Sequence, residues 1–426
     1  MRRGGVNRLS SYNPLRYNHP VKFFSSRLVG IFVILDAILL LAWLQLKPDS
    51  LNFLNPPDNL YPEISELTGK NFSFDELKKY FTTLAEKKGA KYAYEVLKIA
   101  PIPPNTDMHL LGHTVGDVLY KQQGLEGIKI CTEDFRNACS HSIVVGLLID
   151  KGEGVLPDIA RACRQAPGGS GAYTMCYHGL GHGVLAFTGY DFKKSVELCQ
   201  KTGTLESGNQ ESAQCIGGMV MEIISGGGHD RKTWAKQRPK YLMSDNPFYP
   251  CAALAPNEAK GLCYTYITPY LWEAVGGDSG SPSPETFEKA MNLCNGVESA
   301  YKNICFGGFG KEFVVLAQNR DIRKIEEMTD QQLQTVYTWC QLAKNPDGIQ
   351  ACLGQALSSL FWGGENNRAA SIKFCGLLPD LSLKSDCFTN LISQVGSYID
   401  DLNYKKAFCQ EIPENFKMEC QSRLSI

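Results

Sequence analysis

The 426-residue sequence lacks a charge excess, early cysteines and the short cysteine motifs that usually bind zinc. Its net charge of -1 gives no general reason to expect nucleic acid as a partner. None of its 16 cysteines precedes Cys131, and no Cys-x-x-Cys occurs, which weighs against zinc bound by cysteines. Strand-like alternation of apolar and polar residues is also scarce. The composition, 43% hydrophobic and 20% charged, is that of a folded chain and excludes wholesale disorder.

Acidic residues are absent from the first 27 positions, which contain only basic charges: Arg2, Arg3, Arg8, Arg16, Lys22 and Arg27. Residues 28–46 are then apolar except for Asp36 and Gln45, a run long enough to cross a bilayer. The charge bias predicts a cytoplasmic basic tail over 1–27, a single transmembrane anchor over 28–46, and an extracytoplasmic remainder. A cleaved signal peptide is the alternative, but the run is long and no small-x-small cleavage site follows it.

The segment after the anchor divides into a linker and a folded region. Residues 47–72 are proline-rich and predict a linker. The pattern Ser73-x-x-Glu76 predicts a capping box that opens the first helix of a domain over 73–426. Sixteen cysteines in this region independently favour an oxidising, extracytoplasmic location.

The cysteines follow a regular rhythm. Taken in order they form pairs 8 to 16 residues apart, with 22 to 36 residues between pairs: 131/139, 163/176, 199/215, 251/263, 294/305, 340/352, 375/387 and 409/420. This period fits two helices and their turns, and apolar residues recur at helical spacing. The sequence therefore predicts an all-α fold, an α-solenoid of about nine αα-hairpins, eight stapled by one disulfide each. An unstapled hairpin, 90–99 with 107–120, precedes them, and each stapled second helix is expected to open at its cysteine.

One stretch resembles a known family. The pattern Ala138-Cys139-x-x-x-x-Val144-x-Gly146-Leu147-x-x-x-x-Gly152-x-Gly154-Val155-x-x-Asp158-x-x-x-x-Cys163 is similar to a unit of the Sel1-like repeats, in particular the secreted cysteine-rich kind. The similarity covers about residues 131–199. It implies an α-solenoid that typically serves as a binding scaffold, and it transfers no catalytic residue.

Histidine is rare but clustered. Five of the seven histidines lie in the three repeats of residues 89–188, namely His109, His113, His141, His178 and His182. The further repeats, 189–426, contain only His229. Counted from the cysteine of the second helix, or from Asp107 in the unstapled hairpin, they occupy plus two and plus six. Later units have small residues at plus two, such as Gly217 and Gly307. Imidazoles in these crowded places predict ligands of a transition metal.

Several arrangements of these ligands stay open. The pairs His109/His113 and His178/His182 are at i, i+4 spacing and could each chelate one ion. Because helices two units apart should be nearly 20 Å apart, one ion shared by all five is disfavoured unless the superhelix curls tightly. His141 is expected to join one pair, or to lie between two sites, with zinc, copper, iron or haem as the bound group. Asp117 and Glu222 are candidate carboxylates, and residues 225–249 are either a lid or a solvated loop.

Two functions remain from the sequence. The first is a membrane-anchored metal protein, with enzyme activity left open because His-Glu-x-x-His is absent and the catalytic residues are unknown. The second is a scaffold for a protein, peptide or envelope polymer in which the histidines are structural, bonded to backbone carbonyls or capping helices.

Overall fold

Helices account for nearly all of the regular structure in this computed structural model, which describes residues 61–203, 210–226, 230–254, 257–278, 280–361 and 368–426. Over these ranges there is no β-strand, only an isolated bridge between Met243 and Asn246. The all-α prediction is confirmed. The predicted basic tail, anchor and first part of the linker lie outside the described residues. No described helix combines the length and hydrophobicity needed to span a bilayer.

The α-helices, in chain order, are α1 Pro62–Leu67, α2 Phe74–Lys88, α3 Ala90–Ile99, α4 Met108–Gln123, α5 Asp134–Lys151, α6 Leu156–Cys163, α7 Gly169–Phe187, α8 Phe192–Gln200, α9 Gln210–Ser225, α10 Arg231–Gln237, α11 Asn257–Tyr266, α12 Thr268–Ala274, α13 Pro284–Leu293, α14 Ser299–Ala317, α15 Asp330–Cys340, α16 Pro346–Phe361, α17 Arg368–Leu377, α18 Leu381–Tyr398, α19 Leu402–Glu411 and α20 Glu414–Leu424. Short 3-10 helices cover Gly124–Ile130, Glu153–Val155, Arg238–Lys240, Cys251–Ala253, Cys294–Gly296, Ile322–Glu327 and Gln341–Ala343.

The start of α2 shows why a helix begins there. The Ser73 hydroxyl accepts a hydrogen bond from the Glu76 amide at 3.3 Å, and the Glu76 carboxylate accepts one from the Ser73 amide at 2.8 Å. The predicted capping box is therefore present. Within the region predicted to be a linker, the described residues include the short helix α1. Glu63 of α1 is buried and accepts hydrogen bonds from Lys88 at 2.6 Å and Tyr92 at 2.9 Å.

All eight predicted disulfides are formed, with Cα–Cα distances of 5.3 to 5.7 Å. Most of the predicted helix starts are wrong, because α7, α14, α16, α18 and α20 begin six or seven residues before their cysteines; α7, for example, begins at Gly169 ahead of Cys176. In α5, Phe135, Arg136 and Asn137 have positive φ values, so its right-handed turns begin at Ala138, next to Cys139 as predicted. Tertiary packing overrides the low helix propensity of the glycines that made these segments look like turns.

The second helices pack one after another in a row. Its order is α4, α5, α7, α9, α11, α14, α16, α18 and α20, each in contact with the next. Shorter helices flank the row; α3, α6, α8 and α15, for example, pack against α4, α7, α9 and α16. Successive units therefore share one continuous core.

The row curls until distant units touch. The Asn105 amide donates to the Asn319 carbonyl at 2.7 Å. The Arg323 guanidinium donates to the carbonyls of Leu97 at 2.9 Å and Ala100 at 2.8 Å. We call this contact the seam. It closes the inner face of the row around a cavity, which the histidine-bearing helices help to line.

Candidate metal centre

All five candidate histidines of the first units meet in one cluster. His109 and His113 come from α4, His141 from α5, and His178 and His182 from α7. Neighbouring ring centroids are 4.6 to 6.4 Å apart, and the longest of these distances joins His109 to His182 across two units. Rings two units apart therefore lie close together, which the sequence allowed only for a tightly curled row.

Glycines explain the close approach. A Cβ at Gly112 would lie 2.8 Å from the Ala138 Cβ, and one at Gly116 would lie 2.7 Å from the Ser142 Cβ. A Cβ at Gly179 would overlap the His141 side chain. Because only hydrogen fits at these positions, α4, α5 and α7 approach closely enough for imidazoles from three helices to converge.

Three of the histidines form the tightest set of possible ligands. His109, His141 and His182 each offer one ring nitrogen, and these nitrogens all lie within 4.8 Å of one another. Two ligands at about 2.0 Å from a tetrahedral ion are roughly 3.3 Å apart, so an ion would draw the rings inward. The set takes one histidine from each helix, whereas the sequence suggested chelation by the i, i+4 pairs.

His109 is oriented by an unusual stretch of backbone. Its Nδ1 donates to the Phe135 carbonyl at 2.7 Å. Phe135, Arg136 and Asn137 have φ values of 55°, 56° and 64°, inside the loop closed by the Cys131–Cys139 disulfide. Such left-handed backbone is costly for residues other than glycine and tends to mark functional sites. Since a carbonyl can only accept, the proton is on Nδ1 and the Nε2 lone pair is exposed to the cluster.

His182 is oriented by a buried carboxylate. Its Nδ1 lies 3.0 Å from Glu222 Oε2, and the Tyr190 hydroxyl donates to Glu222 Oε1 at 2.9 Å. Both Glu222 and Tyr190 are buried. Glu222 accepts the Nδ1 proton, and His182 Nε2 has no hydrogen-bond partner. A carboxylate behind a histidine is the usual support of a metal-binding imidazole.

His113 faces His109 on the same helix. The Ser142 hydroxyl lies 2.9 Å from the His113 carbonyl oxygen and 3.2 Å from His113 Nδ1. The Nε2 atoms of His113 and His109 lie 3.2 Å apart, within hydrogen-bond distance, and the tautomer of His113 decides whether its Nε2 donates to that of His109. Burial lowers the pKa of His109 to about 4, so the His109 ring is neutral.

His141 lies at the centre of the cluster. It is fully buried, and neither ring nitrogen has a hydrogen-bond partner of normal geometry. Burial, followed by the neighbouring imidazoles, lowers the pKa of His141 well below its usual range, and the Met175 carbonyl opposes this only in part. The ring is therefore neutral. Leaving its polar atoms unpaired costs about 1 to 3 kcal/mol, which a bound ion would offset.

The cluster adjoins the cavity inside the curled row. The cavity has a volume of about 430 Å³ and reaches the cluster at His109 and His178. Its wall combines methionine and aromatic side chains with both signs of charge, including Arg136 and Glu312. The Arg136 guanidinium donates to the Ser359 hydroxyl at 3.0 Å across the cavity. A volume of this size fits a small molecule.

No protein-family model, curated protein or solved structure matches the chain. The site therefore rests on its own geometry.

The other residues and segments singled out in the sequence lie in different places. Glu222, one of the two candidate carboxylates, contacts His182 in the cluster, and neither Glu222 nor Asp117 lines the cavity. In the segment that could have been a lid, α10 packs back on the row: Trp234 donates to the Ile223 carbonyl at 3.0 Å. Its His229 lies outside the described residues. Sequence reasoning missed the Phe135 carbonyl and Tyr190, since neither has a local motif.

Proposed function

We propose that this protein binds a transition-metal ion through His109, His141 and His182 and presents it to a small molecule in the adjacent cavity. The observation that carries the proposal is the set of three ring nitrogens, one from each of three helices, within 4.8 Å of one another. Two of the rings are oriented by hydrogen bonds from Nδ1: His109 to the Phe135 carbonyl and His182 to the Glu222 carboxylate.

The arrangement supports metal binding over a purely structural role. Structural histidines are normally hydrogen-bonded when buried. Here four buried nitrogens make no hydrogen bond of normal geometry: both of His141, although the Met175 carbonyl interacts with that ring, Nδ1 of His178 and Nε2 of His182. Neutral imidazoles suit zinc, copper and iron. The finer proposal, metal-dependent catalysis, is supported by the three-histidine set, because three protein ligands leave a position for water or substrate.

The setting of the site is part of the proposal. Eight disulfides suit an oxidising compartment, and the basic segment before residues 28–46 favours a cytoplasmic N-terminus. We place the helical region outside the cytoplasm, anchored to the membrane by residues 28–46. The row of stapled helix pairs supports an α-solenoid resembling Sel1-like repeats, with a partner protein or envelope polymer as an alternative ligand.

Metal analysis of the full-length protein in detergent tests the proposal. The protein is stripped with a chelator, titrated with zinc, copper(II) or iron(II), and assayed for bound metal and melting temperature. We expect about one ion per chain at the three-histidine set, held more weakly in His141→Asn. An ion at 100 times its dissociation constant stabilises the fold by about 2.7 kcal/mol, so the melting temperature should rise by a few degrees.

The matched control is His19→Asn, which removes a histidine from the basic N-terminal segment and should bind metal like the parent protein. If none of the three metals binds or raises the melting temperature, the proposal is wrong. Equal binding by His141→Asn would also contradict it.

A further inference from the structure

His178 has a different environment from the three proposed ligands. Its ring is 1% exposed and packs against Tyr266, with ring centroids 4.9 Å apart. Its Nε2 lies 3.4 Å from the sulfur of Met221 on α9. The equivalent position of the next unit is Gly217, so the fold does not need a large side chain at this register.

The separation of nitrogen and sulfur fits a shared ion. Bonds of about 2.0 Å to nitrogen and about 2.3 Å to sulfur, at a near-tetrahedral angle, place the two atoms roughly 3.4 to 3.5 Å apart. A hydrogen bond from Nε2 to the sulfur is the alternative, but a thioether is a weak acceptor. The pair can therefore hold an ion without a change of backbone.

More thioethers lie beside this pair. Three of the nine methionines of the chain line the same cavity, namely Met108, Met175 and Met221. Met175 precedes His178 by three residues on α7, so the two side chains share one face of the helix. Methionine often fills gaps in cores, but these three border an open space beside a histidine cluster.

The ligand type selects the metal. Thioether sulfur is a soft ligand and favours copper(I), whereas carboxylate and water favour harder ions. Charge points the same way, because the Lys311 ammonium acts on His178 and opposes a divalent cation more than a monovalent one. Glu312, paired with Lys311 at 2.5 Å, offsets part of that repulsion.

We propose that His178 and Met221, with Met175, form a second metal site that is selective for copper(I). It is separate from the three-histidine set and depends on different side chains. The two sites adjoin each other, since His178 and His182 are neighbours on α7 with ring centroids 5.3 Å apart.

The test uses full-length protein in detergent, stripped of metal and titrated anaerobically with copper(I) against a chromophoric copper(I) chelator. X-ray absorption at the copper edge then reports the ligands. We expect about two copper(I) ions per chain and a sulfur shell at about 2.3 Å. Met221→Leu keeps the approximate volume of the side chain. It should lose the sulfur shell and weaken the binding of one of the two ions by at least about tenfold.

Met219→Leu is the matched control, since it makes the same change two residues earlier on α9 at a fully buried position. It should retain both ions and the sulfur shell. One copper ion with nitrogen ligands alone, unchanged by Met221→Leu, would overturn this proposal and leave the three-histidine site intact. Absence of any bound metal would overturn both.

Discussion

At the scale of single residues, the orientation of each imidazole follows from what its Nδ1 faces. A backbone carbonyl, a serine hydroxyl and a carboxylate lie against Nδ1 of His109, His113 and His182. All three rings pack against His141. Groups outside the cluster thus fix the directions in which its imidazoles point.

Glu222 is a positioning residue in this arrangement, and Glu222→Gln tests its role. The amide keeps the size of the side chain but removes the charge that supports the His182 imidazole. Loss of such a partner typically weakens metal binding by about 10- to 100-fold. Titration of the stripped full-length protein with zinc measures the effect, while circular dichroism checks that the helices are retained.

Glu298→Gln is the control, because the Glu298 side chain is 60% exposed and pairs with Lys260 on the surface. It should bind zinc like the parent. A dissociation constant for Glu222→Gln within twofold of the parent value would show that Glu222 does not support a metal ligand.

The histidines of the cluster and one of their partners, Glu222, could be identified from the sequence, but the other partners could not. The register of His141, His178 and His182 relative to the cysteines marked them as unusual. Glu222 was a candidate from its place on the following second helix. In contrast, Phe135 acts through its backbone carbonyl, which carries no side-chain signal, and its left-handed conformation depends on the surrounding fold.

At the scale of helices, glycine contacts set the distance between α4, α5 and α7. The sequence predicted the all-α fold correctly, although not most of the helix starts, and the spacing of the cysteines predicted every disulfide. The distance predicted between rings two units apart was too long, because average helix separations include side chains at the contact and glycine has none. Glycines at positions 112, 116, 179 and 183 were the available signal.

Gly179→Ala tests this contact. The added methyl group would overlap His141, and overpacking of this kind costs about 1 to 3 kcal/mol. We expect a lower free energy of unfolding and weaker zinc binding, because the His141 ring must move. Denaturant titration and zinc titration of the same preparation measure the two effects.

Gly376→Ala is the matched control within α17, where an added Cβ meets nothing within 4 Å. Removing a helical glycine there should leave zinc binding unchanged and stabilise the protein by up to about 1 kcal/mol. The account of helix spacing fails if Gly179→Ala behaves in the same way.

At the scale of the whole molecule, the seam turns a row of helices into an enclosure. Arg323 donates four short hydrogen bonds, two to the carbonyls of Leu97 and Ala100 and two to the Asp321 carboxylate, and its side chain is 9% exposed. Neither the seam nor the cavity could be predicted from sequence, because curvature is the sum of small rotations between successive units. The partners on either side of the seam are more than 200 residues apart.

Arg323→Ala should loosen the seam. Hydrogen bonds that involve a charged group contribute about 1.5 to 3 kcal/mol, and the carbonyls of Leu97 and Ala100 would lose their donor. We expect faster amide hydrogen exchange over residues 97–107, measured by mass spectrometry on the full-length protein. Arg161→Ala, at a side chain that is 64% exposed, should leave exchange in this region unchanged. Identical exchange in the two variants would exclude a closing role for Arg323.

The most direct measurement of the central claim is anomalous diffraction above the zinc edge from crystals of the zinc-loaded protein. The three-histidine set predicts a peak about 2.0 to 2.1 Å from one nitrogen each of His109, His141 and His182. Zinc bound elsewhere, with no anomalous peak among these three rings, would contradict it.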